Sequence, residues 1–436
     1  MKKLLFILVF GSSFFSLNAQ SWQPLGSGIN GQISALTLYN GNLIASGAFD
    51  SAGGHLAYNV AQWDGTKWDS LGSGVVGSFA LCTYGSNLIA SGGYSSGVSQ
   101  WNGTTWSSLG GGISFRDVFG GGIFALDTFK GKLIVGGLFD TNSIEAWNGT
   151  TWSGLGLGIH SYGKVSALTV YNGNLIAAGY FLNAGGVAVN HIALWNGTSW
   201  SALGAGINGY AACLTVYNGN LYACGSFDSV GGIKANNIAM WDGTTWHSLD
   251  IGTNGYVFAL TVFNGNLIVG GSFDSAGGHK VNNLAQWNGT SWSAITPGIS
   301  STPFYGVYAL AVYKNNLYAG GGFSIAGGAP ANGIMEYCPL CPDGINTIAT
   351  ESYDVKVYPN PSSGVFTLSI YNPQLGIRNH LEVYNTLGQQ VYSKELSTLN
   401  SPLSIDLSSN PTGMYFYRIQ NENGDFVSEG KVVIER

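Results

Sequence analysis

Short runs of alternating apolar and polar residues fill most of the chain, and turns rich in Asn and Gly separate them. In one unit, residues 257–263 (VFALTVF) alternate, Asn264-Gly265 follows, and residues 266–273 (NLIVGGSF) run back. A period of two predicts half-buried β-strands, and Asn-Gly predicts a hairpin because both turn positions need a positive φ. The pattern therefore predicts an antiparallel strand pair.

Two further strands complete the predicted unit. After a polar segment, residues 274–282, come the runs 283–287 and 292–296, joined by an Asn-Gly-Thr turn. We name the four strands A to D in chain order. Tight turns join A to B and C to D at one end of the strands. The longer B–C and D–A connections therefore lie together at the other end. Long connections on a rigid scaffold commonly carry binding residues.

The same unit recurs along the chain and is marked by tryptophan. Twelve of the 13 Trp residues form pairs of one spacing around the C–D turns: Trp63/Trp68, Trp101/Trp106, Trp147/Trp152, Trp195/Trp200, Trp241/Trp246 and Trp287/Trp292. Together with Trp22, the second members recur every 38 to 48 residues, the length of one four-stranded propeller blade. We interpret the indoles as packing between blades, with sugar-stacking platforms as the alternative.

Each end of the repeat region lacks part of a unit. Residues 21–25 (SWQPL) predict a D strand with no A, B or C before it. Residues 333–337 (GIMEY) predict a C strand with no D after it, and Tyr337 takes the place of the first Trp. Pairing the two ends leaves no free sheet edge. The sequence thus predicts an all-β fold in which residues 20–337 form a seven-bladed β-propeller closed by an N-terminal strand.

Strand B ends in a glycine pair in four units and in a single glycine in three. The pairs are Gly92-Gly93, Gly136-Gly137, Gly270-Gly271 and Gly320-Gly321, and the variants are Ser46-Gly47, Ala178-Gly179 and Cys224-Gly225. With the aromatic residues on C and D, this pattern resembles the kelch-type propeller repeat. The resemblance implies the fold and leaves the function open, because propellers host enzymes, scaffolds and binding proteins alike.

Residues 1–19 predict a secretory signal peptide. Lys2 and Lys3 precede an apolar run, residues 4–10, and small and polar residues lead to Ala19, the expected cleavage position. The run is too short to span a bilayer, and no later stretch is long and apolar enough to do so. A secreted or surface-attached protein without a transmembrane segment is therefore expected.

Composition changes after the repeats. Residues 343–436 hold 16 of the 38 charged residues and no Trp. Six short alternating runs in them predict a small β-sandwich: residues 365–371, 381–384, 390–393, 403–407, 414–419 and 431–434. Residues 338–352 are the predicted linker, and residues 353–436 are the predicted second domain.

Three motifs mark this second domain: residues 357–361 (VYPNP), residues 383–389 (VYNTLGQ) and residues 413–415 (GMY), with Lys431 near the end. Their order and spacing resemble the type A C-terminal sorting domain of the type IX secretion pathway of Bacteroidota. The resemblance implies recognition by the outer-membrane secretion machinery and removal by a sortase-like protease in or near the linker. Release or attachment to a surface lipopolysaccharide would follow.

Charge and motifs exclude several function classes. The net charge is −6 with no basic cluster after Lys3, which argues against a nucleic-acid partner. No nucleophile elbow, P-loop, HExxH motif or sialidase Asp-box is present, and the copper ligands of propeller oxidases cannot be placed. Asp50, Asp228 and Asp274 recur in the B–C segments as predicted turn caps. Calcium is a weak alternative because it takes 6–8 oxygen ligands, so no cofactor is expected.

Three serines follow those aspartates in Asp-Ser-Ala or Asp-Ser-Val: Ser51, Ser229 and Ser275. This pattern resembles the O-glycosylation acceptor sequence of Bacteroidota, and a purely structural turn is the alternative.

Two cysteine pairs are disulfide candidates in an exported chain with five cysteines. Cys213 and Cys224 fall opposite each other when residues are counted outward from the Asn-Gly turn of one A–B hairpin, and Cys338 and Cys341 flank Pro-Leu. Bonds Cys213–Cys224 and Cys338–Cys341 are predicted, with unbridged thiols as the alternative.

Blades 2 and 3 depart from the repeat on the face of the long connections. Their B–C segments are short, and the D–A connection between them, residues 110–122 (GGGISFRDVFGGG), is long. It carries Arg116, the only Arg among residues 20–337, beside Asp117 and between Phe115 and Phe119. These four residues predict a ligand-binding notch, and a tolerated deletion and insertion are the alternative.

Together these features predict a secreted or cell-surface propeller that binds or adheres to a glycan or a protein. Two alternatives stay open. One is a secreted polysaccharide-degrading enzyme, a lyase or hydrolase, and the other is a structural surface or motility component.

Overall fold

The structure is a computed structural model of the chain. It describes residues 21–75, 77–92, 97–111, 113, 121–139, 142–159, 163–296, 298–300, 306–338, 354–371, 379–386, 388–396, 402–421 and 426–436. The predicted signal peptide and most of the predicted linker lie outside the described residues. The chain divides into two compact units, Met1–Asp343 and Gly344–Arg436.

Seven four-stranded antiparallel sheets are described in the first unit. Strands A to D are Gln32–Tyr39, Asn42–Ala48, Val60–Trp63 and Trp68–Ser70 in blade 1; Leu81–Tyr84, Asn87–Ser91, Val98–Trp101 and Trp106–Ser108 in blade 2; and Gly122–Phe129, Lys132–Leu138, Ile144–Trp147 and Trp152–Gly154 in blade 3. They are Lys164–Tyr171, Asn174–Tyr180, Ile192–Trp195 and Trp200–Ala202 in blade 4; Tyr210–Tyr217, Asn220–Ser226, Ile238–Trp241 and Trp246–Ser248 in blade 5; and Tyr256–Phe263, Asn266–Ser272, Leu284–Trp287 and Trp292–Ala294 in blade 6.

Blade 7 joins the two ends of the repeat region. Strands A, B and C are Val307–Tyr313, Asn316–Gly321 and Ile334–Cys338, and strand D is Ser21–Pro24. Trp22 lies opposite Tyr337 in the ladder, with ring centroids 5.2 Å apart. Each A strand contacts the A strands of both neighbouring blades, from blade 1 through blade 7 and back to blade 1. The predicted all-β propeller with seven blades and an N-terminal closing strand is confirmed.

A bulge in strand A explains why the second glycine of each pair recurs. In six of the seven described blades the A–B register shifts near the start of strand A. The facing glycine then lies against an A-strand carbonyl: a Cβ on Gly179 would lie 1.9 Å from the oxygen of Lys164. No larger residue fits there, whereas the preceding position accepts Ser46, Ala178 or Cys224.

The D-strand indoles fasten each blade to the previous one. In blades 1 to 6 the indole N–H donates to the carbonyl of the Leu just after the previous blade's D strand, at 2.8 to 3.3 Å: Trp68 to Leu25, Trp106 to Leu71, Trp152 to Leu109, Trp200 to Leu155, Trp246 to Leu203 and Trp292 to Leu249. This geometry supports packing between blades as the main role of the Trp series.

The B–C segments of five blades form hairpins where the sequence predicted loops. The strands are Ser51–Ala52 and His55–Leu56, Asn183–Ala184 and Val187–Ala188, Ser229–Val230 and Ile233–Lys234, Ser275–Ala276 and His279–Lys280, and Ile325–Ala326 and Ala329–Pro330 with Ile299–Ser300. A Gly-Gly turn with positive φ makes each hairpin possible, as at Gly53-Gly54. Bridges such as Ile29–Ala52 join hairpin and D–A connection, so both lie on one face, which we call the loop face.

The second unit is a sandwich of two described sheets. One contains Asp354–Tyr358, Val365–Tyr371 and Leu403–Asp406, and the other contains Gln390–Leu396, Asn379–Asn385, Gly413–Asn421 and Phe426–Ile434. Phe366 and Ile405 from the first sheet share one core with Val383 and Val432 from the second. The first strand was not predicted from the sequence, because its last two residues, Val357 and Tyr358, belong to the VYPNP motif. In the parts of the chain that the structure describes, no helix is long and apolar enough to cross a membrane.

Candidate ligand-binding site

A rim of aromatic residues lies at the loop-face end of the A strands. On blades 2 to 5, the rings of Phe79 and Phe124 are 5.4 Å apart, and the Nζ of Lys164 lies 3.9 Å from the Phe124 ring centroid. The same Nζ is 5.4 Å from the ring of Tyr210, whose hydroxyl donates to Ser166 at 2.9 Å. Because these contacts join four consecutive A strands, the side chains lie on the inner side of the ring.

Blades 6 and 7 supply a second group of rings. Phe258 lies 6.2 Å from Tyr256 and 5.1 Å from Tyr308, measured between ring centroids. Tyr256 is 54% exposed, so one ring of this group faces solvent. We refer to Phe79, Phe124, Lys164, Tyr210, Tyr256, Phe258 and Tyr308 together as the aromatic rim.

A polar cleft separates the two halves of the aromatic rim. It lies between blades 5 and 6, has a volume of about 530 Å³, and is open to solvent. Its lining includes the side chains of Asn208, Asp228, Asn236, Asn254 and Tyr256. Gly209 also lines the cleft, and Tyr256 is the tyrosine in its lining. The hydroxyl of the neighbouring Tyr210 donates to Ser166 of blade 4 instead.

Asn–Asp pairs hold the walls of the cleft. Asn208 donates its side-chain amide to the Asp228 carboxylate, and its Oδ1 accepts from the backbone N–H of Asp228 at 3.2 Å and of Ser229 at 3.0 Å. Asn254 makes the same contacts with Asp274. The recurring Asp therefore ties a B–C hairpin to the D–A connection before it, which agrees with a structural role.

The third pair, Asn30 with Asp50, repeats this arrangement in blade 1. Ser51, Ser229 and Ser275 are the half-buried residues after the three aspartates, and their backbone N–H groups bind the Asn oxygens. Among the described residues, no cluster of three or more His, Cys, Asp or Glu side chains could hold a metal ion.

The loop face differs at blades 2 and 3. Their B and C strands are joined by residues 92–97 and 139–143, against 227–237 in blade 5. In blade 5 the hairpin glycine Gly231 lies against Trp246, which is 6% exposed, whereas Trp106 and Trp152 are partly exposed. The predicted notch residues Phe115, Arg116, Asp117 and Phe119 lie outside the described residues, so the notch stays a prediction.

Cysteines occupy two distinct environments in the propeller. Cys213 and Cys224 pair in the register predicted by counting from the turn, and a disulfide joins them with Cα atoms 5.2 Å apart. Burial raises the pKa of the Cys82 thiol to about 12, so Cys82 is not an activated nucleophile. Cys341 lies outside the described residues, and the bond Cys338–Cys341 stays a prediction.

Sequence reasoning missed the aromatic rim and the cleft. The available signal was variation at the start of strand A, where Lys164, Tyr210 and Tyr256 occupy equivalent positions ahead of a constant strand pattern. Apolar positions that recur from blade to blade build the ladder, whereas the positions at its loop-face end differ between blades.

Comparisons with known proteins address both units. Residues 356–435 match the family described as secretion system C-terminal sorting domain. No curated protein matches the sequence.

Several solved structures are similar at low identity. The computationally designed Ika8 protein is 16% identical, with 72% of this chain and 99% of that chain covered and a TM-score of 0.45. PorZ, a surface component of the type IX secretion system of Porphyromonas gingivalis, is 14% identical, with coverages of 93% and 66% and a TM-score of 0.39. The extracellular domain of BT4673 from B. thetaiotaomicron is 11% identical, with coverages of 96% and 59% and a TM-score of 0.45.

The first unit is thus an all-β domain of repeated four-stranded blades with a polar, aromatic-flanked cleft on its loop face. The second unit is a C-terminal sorting domain of the type IX secretion system. The protein is exported across the outer membrane to the cell surface or the medium, and the sorting domain is the part that the secretion machinery recognises.

Proposed function

We propose that the propeller is a kelch-type, extracellular glycan-binding and adhesive module. The observation that carries this proposal is the open cleft between blades 5 and 6, which is lined by residues with amide and carboxylate side chains and by Tyr256. Amides and carboxylates hydrogen-bond neighbouring hydroxyl groups, and aromatic rings stack on the apolar faces of sugar rings. A saccharide presents both kinds of surface at once.

Binding without turnover is favoured over degradation. Hydrolysis of a glycosidic bond generally uses a pair of carboxyl groups about 5 to 10 Å apart. The described lining of the cleft contains one carboxylate, Asp228, and it already accepts a hydrogen bond from Asn208. A polysaccharide-degrading enzyme therefore remains the second candidate, and protein ligands are the second ligand class.

Export and processing complete the proposal. The sorting domain is of type A, and a sortase-like protease cleaves in the linker, residues 338–352, before release or surface attachment. Ser51, Ser229 and Ser275 are the proposed O-glycosylation acceptors, because each is the first residue of a loop-face hairpin and its backbone N–H is already bound by an Asn.

Glycan arrays probed with the exported protein test the binding function. We expect saturable binding to a subset of glycans, and Tyr256→Ala should weaken it about tenfold because one stacking surface is lost. Tyr58→Ala is the matched control, since Tyr58 is 52% exposed in blade 1 and does not line the cleft. Binding that both variants reduce equally, or that neither reduces, would contradict the cleft as the site. Release of shorter saccharides would favour the enzyme.

A further inference from the structure

The amide groups that line the cleft between blades 5 and 6 are engaged within the protein. Each asparagine of the described lining donates its side-chain amide to another protein group: Asn208 to the Asp228 carboxylate, Asn236 to the Ile251 carbonyl, Asn237 to the Thr253 carbonyl and Asn254 to the Asp274 carboxylate. One N–H of each amide is therefore already used, which reduces what the lining can donate to a ligand.

Acceptor oxygens of the lining are more available than its donors. The Oδ1 of Asp228 accepts from Asn208, and no donor among the described residues reaches its Oδ2. Asn236 donates at 2.7 Å, and its Oδ1 accepts no hydrogen bond from a described residue. Since an ionised carboxylate has about four acceptor positions, Asp228 can accept from a ligand and keep its contact with Asn208.

The charge of the cleft has one sign. Asp228 is exposed, and the described lining contains no Lys, Arg or His. No ion pair between described residues involves Asp228. Tyr256, in the same lining, is 54% exposed, and the face of an aromatic ring attracts cations. A positively charged ligand thus meets a carboxylate and an aromatic ring in one cleft.

We infer that the cleft selects saccharides with a free amino group, such as glucosamine units without an acetyl group, and that Asp228 determines this selectivity. The inference rests on the proposed glycan-binding function and adds the chemical class of the ligand. The protonated amino group would donate a charge-assisted hydrogen bond to Asp228, and neighbouring hydroxyl groups would donate to Asn236. The sugar ring would stack on Tyr256.

Calorimetry with matched oligosaccharides tests the selectivity. The probes are oligomers of glucosamine, N-acetylglucosamine and glucose with the same linkage and length, titrated into the exported protein at about pH 6, where an amino group is protonated. We expect the wild type to bind the glucosamine oligomer about fivefold more tightly than either neutral oligomer, because the ion pair is exposed to solvent. The preference should decrease as salt rises, since salt screens exposed charges.

Two variants separate a charge effect from a loosened hairpin. Asp228→Asn keeps the size of the side chain and removes its charge, so it should lower the affinity for glucosamine oligomers to that for glucose oligomers. Asp50→Asn is the matched control, because Asp50 makes the same contacts with Asn30 in blade 1 and is not part of the cleft lining. It should keep the wild-type preference. Retention of the preference in Asp228→Asn, or an equal loss in both variants, would overturn the inference.

The outcomes also distinguish this inference from the proposed function. Equal binding of charged and neutral oligomers by the wild type would contradict the selectivity and still support glycan binding, and this result needs no variant. Equally tight binding of an oligolysine of the same charge would show that ammonium groups suffice without a sugar ring, and it would overturn the assignment to saccharides. Binding of none of the oligomers would overturn the inference, whereas a blank glycan array as well would contradict the glycan-binding function itself.

Discussion

Blades 5 and 6 and blades 2 and 3 carry the same four-stranded ladder with different loop faces. The indoles of Trp241 and Trp246 have ring centroids 5.4 Å apart, and so do those of Trp101 and Trp106. The two blades differ in their B–C segments on the loop face. Blade 5 has a hairpin against its D-strand indole, and blade 2 has a short connection. The repeat thus separates a constant scaffold from a variable loop face, and that face can change without loss of the ring.

The largest expected difference in stability is between variants of Trp246, which lies under a B–C hairpin, and of Trp152, whose blade has no such hairpin among the described strands. Trp246→Ala should destabilise the propeller by about 3–5 kcal/mol, because it leaves a cavity and removes the hydrogen bond to Leu203. Trp152→Ala should lower the free energy of unfolding by clearly less, since its indole is already partly exposed. Denaturant unfolding followed by Trp fluorescence reports the propeller alone, because all 13 Trp residues lie within residues 22–292. Equal losses of stability in the two variants would contradict the inference that the hairpin shields the indole from solvent.

Blades 4 and 5 offer a matched comparison for the disulfide. Blade 4 has Ala167 and Ala178 where blade 5 has Cys213 and Cys224, in the same register. The double variant Cys213→Ala with Cys224→Ala therefore gives blade 5 the residues of blade 4, and it should lose about 2–3 kcal/mol by freeing the unfolded chain. A reducing agent should lower the wild-type unfolding midpoint by more than that of the double variant, which keeps only the predicted bond Cys338–Cys341. A midpoint that does not respond to reduction would contradict this contribution.

The smallest effect concerns a half-buried carboxyl on strand A of blade 3. Asp127 occupies the A-strand position that is threonine in blades 1, 4, 5 and 6, and burial raises its pKa above the ordinary 3.8. The folded protein therefore binds this proton more tightly than the unfolded chain, so stability falls as pH rises through the raised pKa. Asp127→Thr should raise the unfolding midpoint at pH 7, and the gain should vanish below about pH 3.8. A gain that does not depend on pH would point to packing instead.

Sequence reasoning succeeded where counting along the chain determines the geometry. The missing strands at the two ends predicted the pairing of Trp22 with Tyr337, and the turn position predicted the register of Cys213 and Cys224. It did not find the aromatic rim, because the bulge in strand A shifts the alternation and because Phe124 and Lys164 meet across two blades. Contacts between neighbouring blades depend on how the ring closes, which a repeat period does not specify.

Closure of the ring requires the ladder between Ser21–Pro24 and Ile334–Cys338, and thus both ends of the repeat region. Six blades can pair their strands during synthesis, because those strands are close in the sequence. The seventh pairs strands more than 300 residues apart, so it forms only after the second of them has been made. A product truncated within either segment would keep an unsatisfied sheet edge and would tend to aggregate with other chains. Only a molecule with both segments present can pair the backbone donors and acceptors along that ladder. Closure of the ring therefore distinguishes chains with both segments from truncated ones.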